Sequence, residues 1–203
     1  LHRSCSIKQV SQDVIRILEK LEINRPVLIG HSMGGMIAQQ ICLEAKELFD
    51  ALILVSTIAA DTENQLISKR IQVDTNKIGF LASFNQHFEA WFSTKTPKKV
   101  RQRVKSQMLL TEEATSLAWV NSYALFDLRD HLKEVPCPTL IIGTQSDNSA
   151  PPAQSKELAA LIPNSFLTMI DDCGHFPMIE KPNELNRVIK SFVKRLERTY
   201  KDE

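Results

Sequence analysis

"PVLIGHSMGGMIAQQ", residues 26–40, joins a short apolar run to a segment of helix-forming residues. Residues 26–30 are apolar and bounded by turn residues, which is typical of a strand buried on both faces, and Pro26 is tolerated at the first position of a strand. Residues 34–46 are predicted to form a helix. Ser32 therefore falls at the turn where the strand ends and the helix begins.

This turn carries the pattern G-x-S-x-G, from Gly30 to Gly34. On a sharp strand-to-helix turn, the pattern predicts a strained serine whose hydroxyl is pushed out of the sheet as a nucleophile. We expect that Gly30 and Gly34 must lack side chains because the strand and the helix approach closely there. The backbone N–H of Met33, at the start of the helix, is the expected donor to an oxyanion.

The rest of the chain repeats the pattern of short apolar runs separated by helical sequence. Amphipathic helices are predicted at residues 7–21 and 185–196 from their apolar spacing. This alternation predicts an α/β fold with a mostly parallel sheet and helices on both faces. The further strands are predicted at 51–56, 138–143 and 165–170.

A long insertion, residues 58–134, separates the second predicted strand from the third and has helical spacing. It predicts a helical cap over a core formed by residues 1–57 and 135–203. Its aromatic residues are expected to pack mainly between helices, with one or two also lining an apolar substrate pocket. They are Phe80, Phe84, Phe88, Trp91, Phe92, Trp119, Tyr123 and Phe126.

A nucleophilic serine needs a general base, and the base needs an acid that orients it. His175 follows the predicted strand 165–170, and Asp147 follows the strand 138–143. The carboxyl ends of parallel strands share one edge of the sheet, where open α/β sheets build their sites. We therefore expect Ser32, Asp147 and His175 to meet there as a catalytic triad.

Composition excludes several other classes of function. The chain has 25 basic and 24 acidic residues, for a net charge of +1, which argues against a general nucleic-acid or membrane-surface partner. The basic stretch 95–105 also carries apolar residues at helical spacing, so a solvated helix face is favoured over an anion-binding patch. No run of 18 apolar residues predicts a membrane span.

The cysteines are widely spaced and indicate neither a disulfide framework nor a zinc site. With no apolar leader at the start of the sequence, this spacing predicts a cytoplasmic protein with free thiols. No cofactor or metal is expected. The four cysteines are Cys5, Cys42, Cys137 and Cys173.

Three motifs together carry a family resemblance: "GHSMGG" at 30–35, "GTQSD" at 143–147 and "DCGHFPMIEKP" at 172–182. They resemble the nucleophile turn, acid loop and histidine loop of the α/β-hydrolase superfamily, in the same chain order. The helical stretch 6–23 resembles the helix before that turn. The chain is most similar to the cofactor-free esterases, enol-lactonases and carbon–carbon-bond hydrolases, with the weakest likeness in the cap.

The resemblance also implies a difference, because members of the superfamily carry further strands before the nucleophile turn and a second oxyanion donor in a loop after one of them. Neither is found in this sequence. We expect an N-terminally truncated version of the fold in which one flank of the strand 26–30 is an unpaired apolar edge. Met33 is then the one expected oxyanion donor.

Other residues could take the triad roles. Asp171 and Asp172 are alternative acids, although they adjoin His175 in sequence, and Asp61 is a weaker alternative because some relatives place the acid after that strand. His31 is expected to be a packing or hydrogen-bonded residue rather than a second base.

The sequence thus predicts a serine hydrolase that cleaves a small ester, lactone or related carbonyl substrate through an acyl-enzyme. The resemblance leaves esterase, enol-lactonase, carbon–carbon hydrolase and perhydrolase open, whereas serine at position 32 argues against the dehalogenase and epoxide-hydrolase branches. The alternative is a non-catalytic or inactive truncated hydrolase-like protein that binds a ligand or partner. The sequence leaves the oligomeric state open.

Overall fold

The computed structural model describes residues 6–61, 67–123 and 125–202. Its centre is a four-stranded parallel sheet in which the strands follow the order of the chain. This confirms the predicted α/β fold with a parallel sheet. The strands are β1 (Val27–His31), β2 (Ala51–Val55), β3 (Thr139–Thr144) and β4 (Ser165–Ile170).

The three helices with predicted bounds are all present. The first two differ from the prediction by no more than two residues at either end, whereas the last, predicted at 185–196, spans Pro182–Asp202. The helix after the serine starts at Met33, directly after the turn. The first helix is capped by Ser6, whose hydroxyl accepts a hydrogen bond from the Gln9 N–H at 3.4 Å. The helices are α1 (Ile7–Lys20), α2 (Met33–Glu44), α3 (Ile67–Ile78), α4 (Phe80–Phe88), α5 (Lys98–Met108), α6 (Glu113–Tyr123), α7 (Pro152–Leu161), α8 (Pro177–Glu180) and α9 (Pro182–Asp202).

Both faces of the sheet are covered at its two central strands, which explains the continuous apolar runs of β2 and β3. Every residue of β2 is buried. Leu52 and Leu54 pack into a core that includes residues of α1, α2 and α7, whereas Ile53 and Val55 pack into a second core with α9. A strand with this environment needs apolar residues at every position rather than at alternate ones.

Strand β1 forms one edge of the sheet. In the described part of the chain it pairs with β2 alone, and Ile29 is 52% exposed there. Ile17 of α1 and Leu21, which caps the end of that helix, are also exposed. The edge strand thus exposes an apolar side chain at Ile29.

The two ends of the helical insertion pair with each other. A bridge joins Ala60 to Asp127, and the Leu128 N–H donates to the Ala59 carbonyl at 3.0 Å. Within the insertion, Phe88 and Phe92 are buried in a small cluster of their own, together with Val104 of the basic stretch. The division of the chain into core and cap stays a prediction.

Three of the four cysteines lie within the described residues, and Cys5 lies outside them. Cys42, Cys137 and Cys173 are buried free thiols. None of the described helices is both long enough and apolar enough to span a membrane.

Candidate active site

Ser32 occupies the predicted turn between β1 and α2 in a strained conformation. Its φ of 53° and ψ of −121° lie outside the regions that most residues adopt, at a cost of about 1–3 kcal/mol. Two hydrogen bonds from the segment at the end of β2 hold it. The Ser32 N–H donates to the Val55 carbonyl at 3.0 Å, and the Thr57 hydroxyl donates to the Ser32 carbonyl at 2.7 Å.

The glycines around Ser32 have different roles. A Cβ at Gly30 would lie 2.3 Å from the Gly34 carbonyl oxygen, so the prediction of a close approach is right for Gly30. It is wrong for Gly34, because a Cβ there would meet no atom within 4 Å. The second close approach is at Gly35, where a Cβ would lie 2.5 Å from the Thr57 side chain.

His175 lies in the loop between β4 and α8, and both of its backbone polar groups are held. Its N–H donates to the Trp91 carbonyl at 2.6 Å, and its carbonyl accepts a hydrogen bond from His31 Nε2 at 2.7 Å. The residue is only 5% exposed. Its ring Nε2 lies 2.9 Å from Ser32 Oγ.

Asp147 completes this arrangement from the loop after β3. Its Oδ2 lies 2.9 Å from His175 Nδ1. Its Oδ1 accepts hydrogen bonds from the backbone N–H groups of Ser149 and Ala150, both at 2.8 Å. The carboxyl group is buried, and these two donors fix its orientation.

The alternative acids lie elsewhere. Asp171 and Asp172 are exposed, and Asp172 pairs with Lys95. Asp61 borders a small cavity that Ser32 and His175 also line, but the carboxyl group hydrogen-bonded to the His175 ring is that of Asp147. The structure thus brings Ser32, His175 and Asp147 together.

His31 is a second histidine at the site, and it is neutral at ordinary pH. Burial and the neighbouring His175 lower its pKa from 6.5 to about 4. With His31 neutral, the 2.7 Å contact to the His175 carbonyl requires the proton on Nε2. His31 therefore acts as a hydrogen-bond donor, as expected, and not as a base.

A cavity of about 440 Å³ opens beside Ser32 and His175. Aromatic rings of the insertion form a row along it, with centroids 6.5 Å apart for His175 and Trp91, 6.0 Å for Trp91 and Phe84, and 6.3 Å for Phe84 and Phe80. Trp119 and Tyr123 of α6 also line it. More of the insertion's aromatic residues therefore face the cavity than the sequence predicts.

Among the described residues, no group of three or more His, Cys, Asp and Glu side chains could hold a metal ion.

The sequence analysis did not identify three groups that contact the site residues: Thr57, Gly35 and the Trp91 carbonyl. The first two carry no signal beyond their proximity to strand ends, and the third is a backbone group that any residue would supply.

Comparison with known proteins identifies the family. The model of the alpha/beta hydrolase family matches residues 6–188. The chain belongs to this family. It is 23% identical over 192 residues to the 3-oxoadipate enol-lactonase 2 of Acinetobacter baylyi, covering 93% of this chain and 71% of the relative. It is 21% identical to RutD of Pseudomonas syringae, named as a candidate carbamate hydrolase, covering 93% and 75%.

Solved structures support the same fold. The structure of the esterase EaEST from Exiguobacterium antarcticum superimposes with a TM-score of 0.85 and 19% identity, covering 95% of this chain and 75% of that one. The protein is thus an enzyme of the alpha/beta hydrolase family, as the sequence predicts.

The two glycines of the serine turn give a matched test of the local geometry. We expect Gly30→Ala to lower the free energy of unfolding by at least about 1–3 kcal/mol, because the new methyl group meets backbone atoms that cannot move aside. Gly34→Ala should leave it nearly unchanged. Urea denaturation of both variants measures the difference, and equal losses would contradict the assignment of the close approach to Gly30.

The lowered pKa of His31 predicts a pH-dependent stability. Between pH 6.5 and about 4 the unfolded chain binds a proton at His31 that the folded chain does not, so the free energy of unfolding falls by up to about 3 kcal/mol as the pH drops. His31→Gln retains a donor for the His175 carbonyl and should lack this part of the dependence. Denaturation of both proteins across this pH range tests it; parallel curves would contradict it.

Proposed function

We propose that the protein is a serine hydrolase in which Ser32 is the nucleophile, His175 the general base and Asp147 the orienting acid. The observation that carries this proposal is the continuous chain of hydrogen-bond contacts, 2.9 Å each, from Asp147 through the His175 ring to Ser32 Oγ. Contacts of this length and order are what nucleophilic catalysis by serine requires. The strained turn at Ser32 supports the same role, since strain is stored at functional sites.

The reaction proceeds in two stages. Ser32 Oγ attacks the substrate carbonyl while His175 Nε2 accepts the hydroxyl proton; the bond to the leaving group then breaks, and His175 donates the proton to that group. Water attacks the resulting acyl-enzyme with His175 again as base, which releases the acid and restores the Ser32 hydroxyl. Asp147 keeps the proton of neutral His175 on Nδ1 and stabilises the imidazolium.

The negative charge that forms on the carbonyl oxygen needs donors. Met33 is the first residue of α2, and the first N–H groups of a helix have no partner within it. The helix N-terminus adds a partial positive charge at the same place. We assign the Met33 N–H as an oxyanion donor on this basis.

The cavity points to the class of substrate. A volume of about 440 Å³ suits a small organic molecule, and the aromatic row suits an apolar acyl or ring group. The relatives named as esterase, enol-lactonase and candidate carbamate hydrolase act on bonds at a carbonyl carbon. A carboxylic ester or lactone with an apolar acyl group is the proposed substrate, and the insertion, residues 58–134, is the proposed cap that shapes its pocket.

Covalent labelling tests this proposal directly. A fluorophosphonate should add once to the wild-type chain at Ser32, because the hydrogen-bonded His175 activates that hydroxyl. Ser32→Ala should remove the adduct, and intact-mass spectrometry measures both results. Ser116→Ala is the matched control, since Ser116 lines the same cavity without contacting His175, and it should label like the wild type. A folded wild-type chain without an adduct, or an adduct that persists in Ser32→Ala, would overturn the proposal.

Substitution of Phe80 tests whether the acyl group of the substrate lies along the aromatic row. It stands at the end of the aromatic row farthest from His175, so only a long acyl group should reach it. We expect Phe80→Ala to lower kcat/KM for an octanoyl ester about tenfold, the equivalent of roughly two buried methylene groups, and to leave the acetyl ester unchanged. Equal losses for both esters in steady-state assays would place the acyl group elsewhere.

A further inference from the structure

Glu180, at the end of α8, accepts hydrogen bonds from four separate donors. Its Oε2 accepts from the Ser93 N–H at 2.9 Å, the Thr96 hydroxyl at 2.5 Å and the Gly174 N–H at 3.2 Å. Its Oε1 accepts from the Phe176 N–H at 3.2 Å. One half-buried carboxylate thus satisfies three backbone groups and a hydroxyl.

These donors belong to two segments that are far apart in sequence. Gly174 and Phe176 flank His175 on either side, whereas Ser93 and Thr96 begin and end a turn of the insertion. The two segments touch directly as well, because the His175 N–H donates to the Trp91 carbonyl. A Cβ at Gly174 would lie 2.4 Å from that carbonyl oxygen, so the approach is too close for a side chain.

The turn 93–96 is also bound by an arginine of the insertion. Arg101 of α5 donates through Nε to the Thr96 carbonyl and through Nη2 to the Ser93 carbonyl, both at 3.0 Å. Its Nη1 also pairs with Glu89 at 2.9 Å. The turn 93–96 therefore sits between the Arg101 guanidinium, which binds its carbonyls, and the Glu180 carboxylate, which binds its donors.

We propose that Glu180 is a positioning residue for the His175 base, fixing the histidine loop against the turn 93–96 so that the His175 ring stays within reach of Ser32 and Asp147. This inference rests on the proposed triad. The group must be a carboxylate, because it is acceptor-only and has room for four donors on two oxygens. Glutamine in its place would present an NH₂ donor to at least one of these donors.

Small displacements of the ring are enough to slow the reaction. The His175 ring has two short contacts, to Ser32 and to Asp147, and both depend on where its backbone lies. A shift of about 1 Å in a reacting group can cost about 100-fold in rate. Loss of the Glu180 contacts should therefore act on kcat more than on KM.

The test compares variants that remove different numbers of the hydrogen bonds made by Glu180. Glu180→Ala removes all four contacts, Glu180→Gln keeps the size of the side chain, and Thr96→Val removes a single donor without changing the backbone. Lys95→Ala is the matched control, because the Lys95–Asp172 ion pair joins the same two segments at an exposed site and should matter little. Fluorophosphonate labelling of the wild type first shows whether Ser32 is active.

We expect kcat for a short ester to fall about 100-fold in Glu180→Ala, about tenfold in Glu180→Gln and less in Thr96→Val, with KM within about threefold of wild type and Lys95→Ala unchanged. The low-field proton NMR signal of the His175–Asp147 hydrogen bond should shift or broaden in the same order. If the folded variants keep the wild-type kcat and this signal while only Tm falls, Glu180 is merely structural and the inference is overturned. Should Glu180→Ala not fold, Glu180→Gln and Thr96→Val decide by the same readouts.

Discussion

The close approach of β1 to α2 at Gly30 is the constraint on which the site depends. With no Cβ at this position, the chain can turn from strand to helix over Ser32 alone, and the turn forces the positive φ of that serine. Two hydrogen bonds at the end of the neighbouring strand hold the strained residue: the Ser32 N–H donates to the Val55 carbonyl, and the Thr57 hydroxyl donates to the Ser32 carbonyl. Ser32 is thus held by contacts with the end of β2 and not only by its own turn.

The parallel register extends this constraint to the other two residues. Because β1 to β4 run in one direction and in chain order, their carboxyl ends lie along one edge, and the loops after β3 and β4 start beside each other. The Ser146 N–H donates to the Cys173 carbonyl at 2.9 Å, and the Thr144 hydroxyl donates to the Gly174 carbonyl at 2.8 Å. These bonds join the loop that carries Asp147 to the loop that carries His175, independently of the contact between the two side chains.

Much of this arrangement could be predicted from the sequence because it depends on local patterns. Continuous apolar runs define strands buried on both faces, and Asp147 and His175 are placed by the strands that precede them. Contacts of backbone groups, and contacts between residues far apart in the chain, leave no local pattern in the sequence. The steric role assigned to Gly34 was wrong since the pattern G-x-S-x-G marks that position without showing which neighbour it would meet, and Gly35 instead approaches Thr57, a residue of another strand's loop.

The helical insertion is another part of the structure in which the sequence pattern does not show which residues contact each other. Helical spacing groups Phe84, Phe88 and Trp91 together. Only the packing shows that Phe84 and Trp91 line the cavity, whereas Phe88 is fully buried with Phe92 in the cluster against which they pack. The insertion also supplies a carbonyl to the backbone of His175, through Trp91. The insertion thus both lines the cavity and holds the backbone of His175. If the proposed triad is the catalytic group, changes in this segment should alter rate and selectivity together.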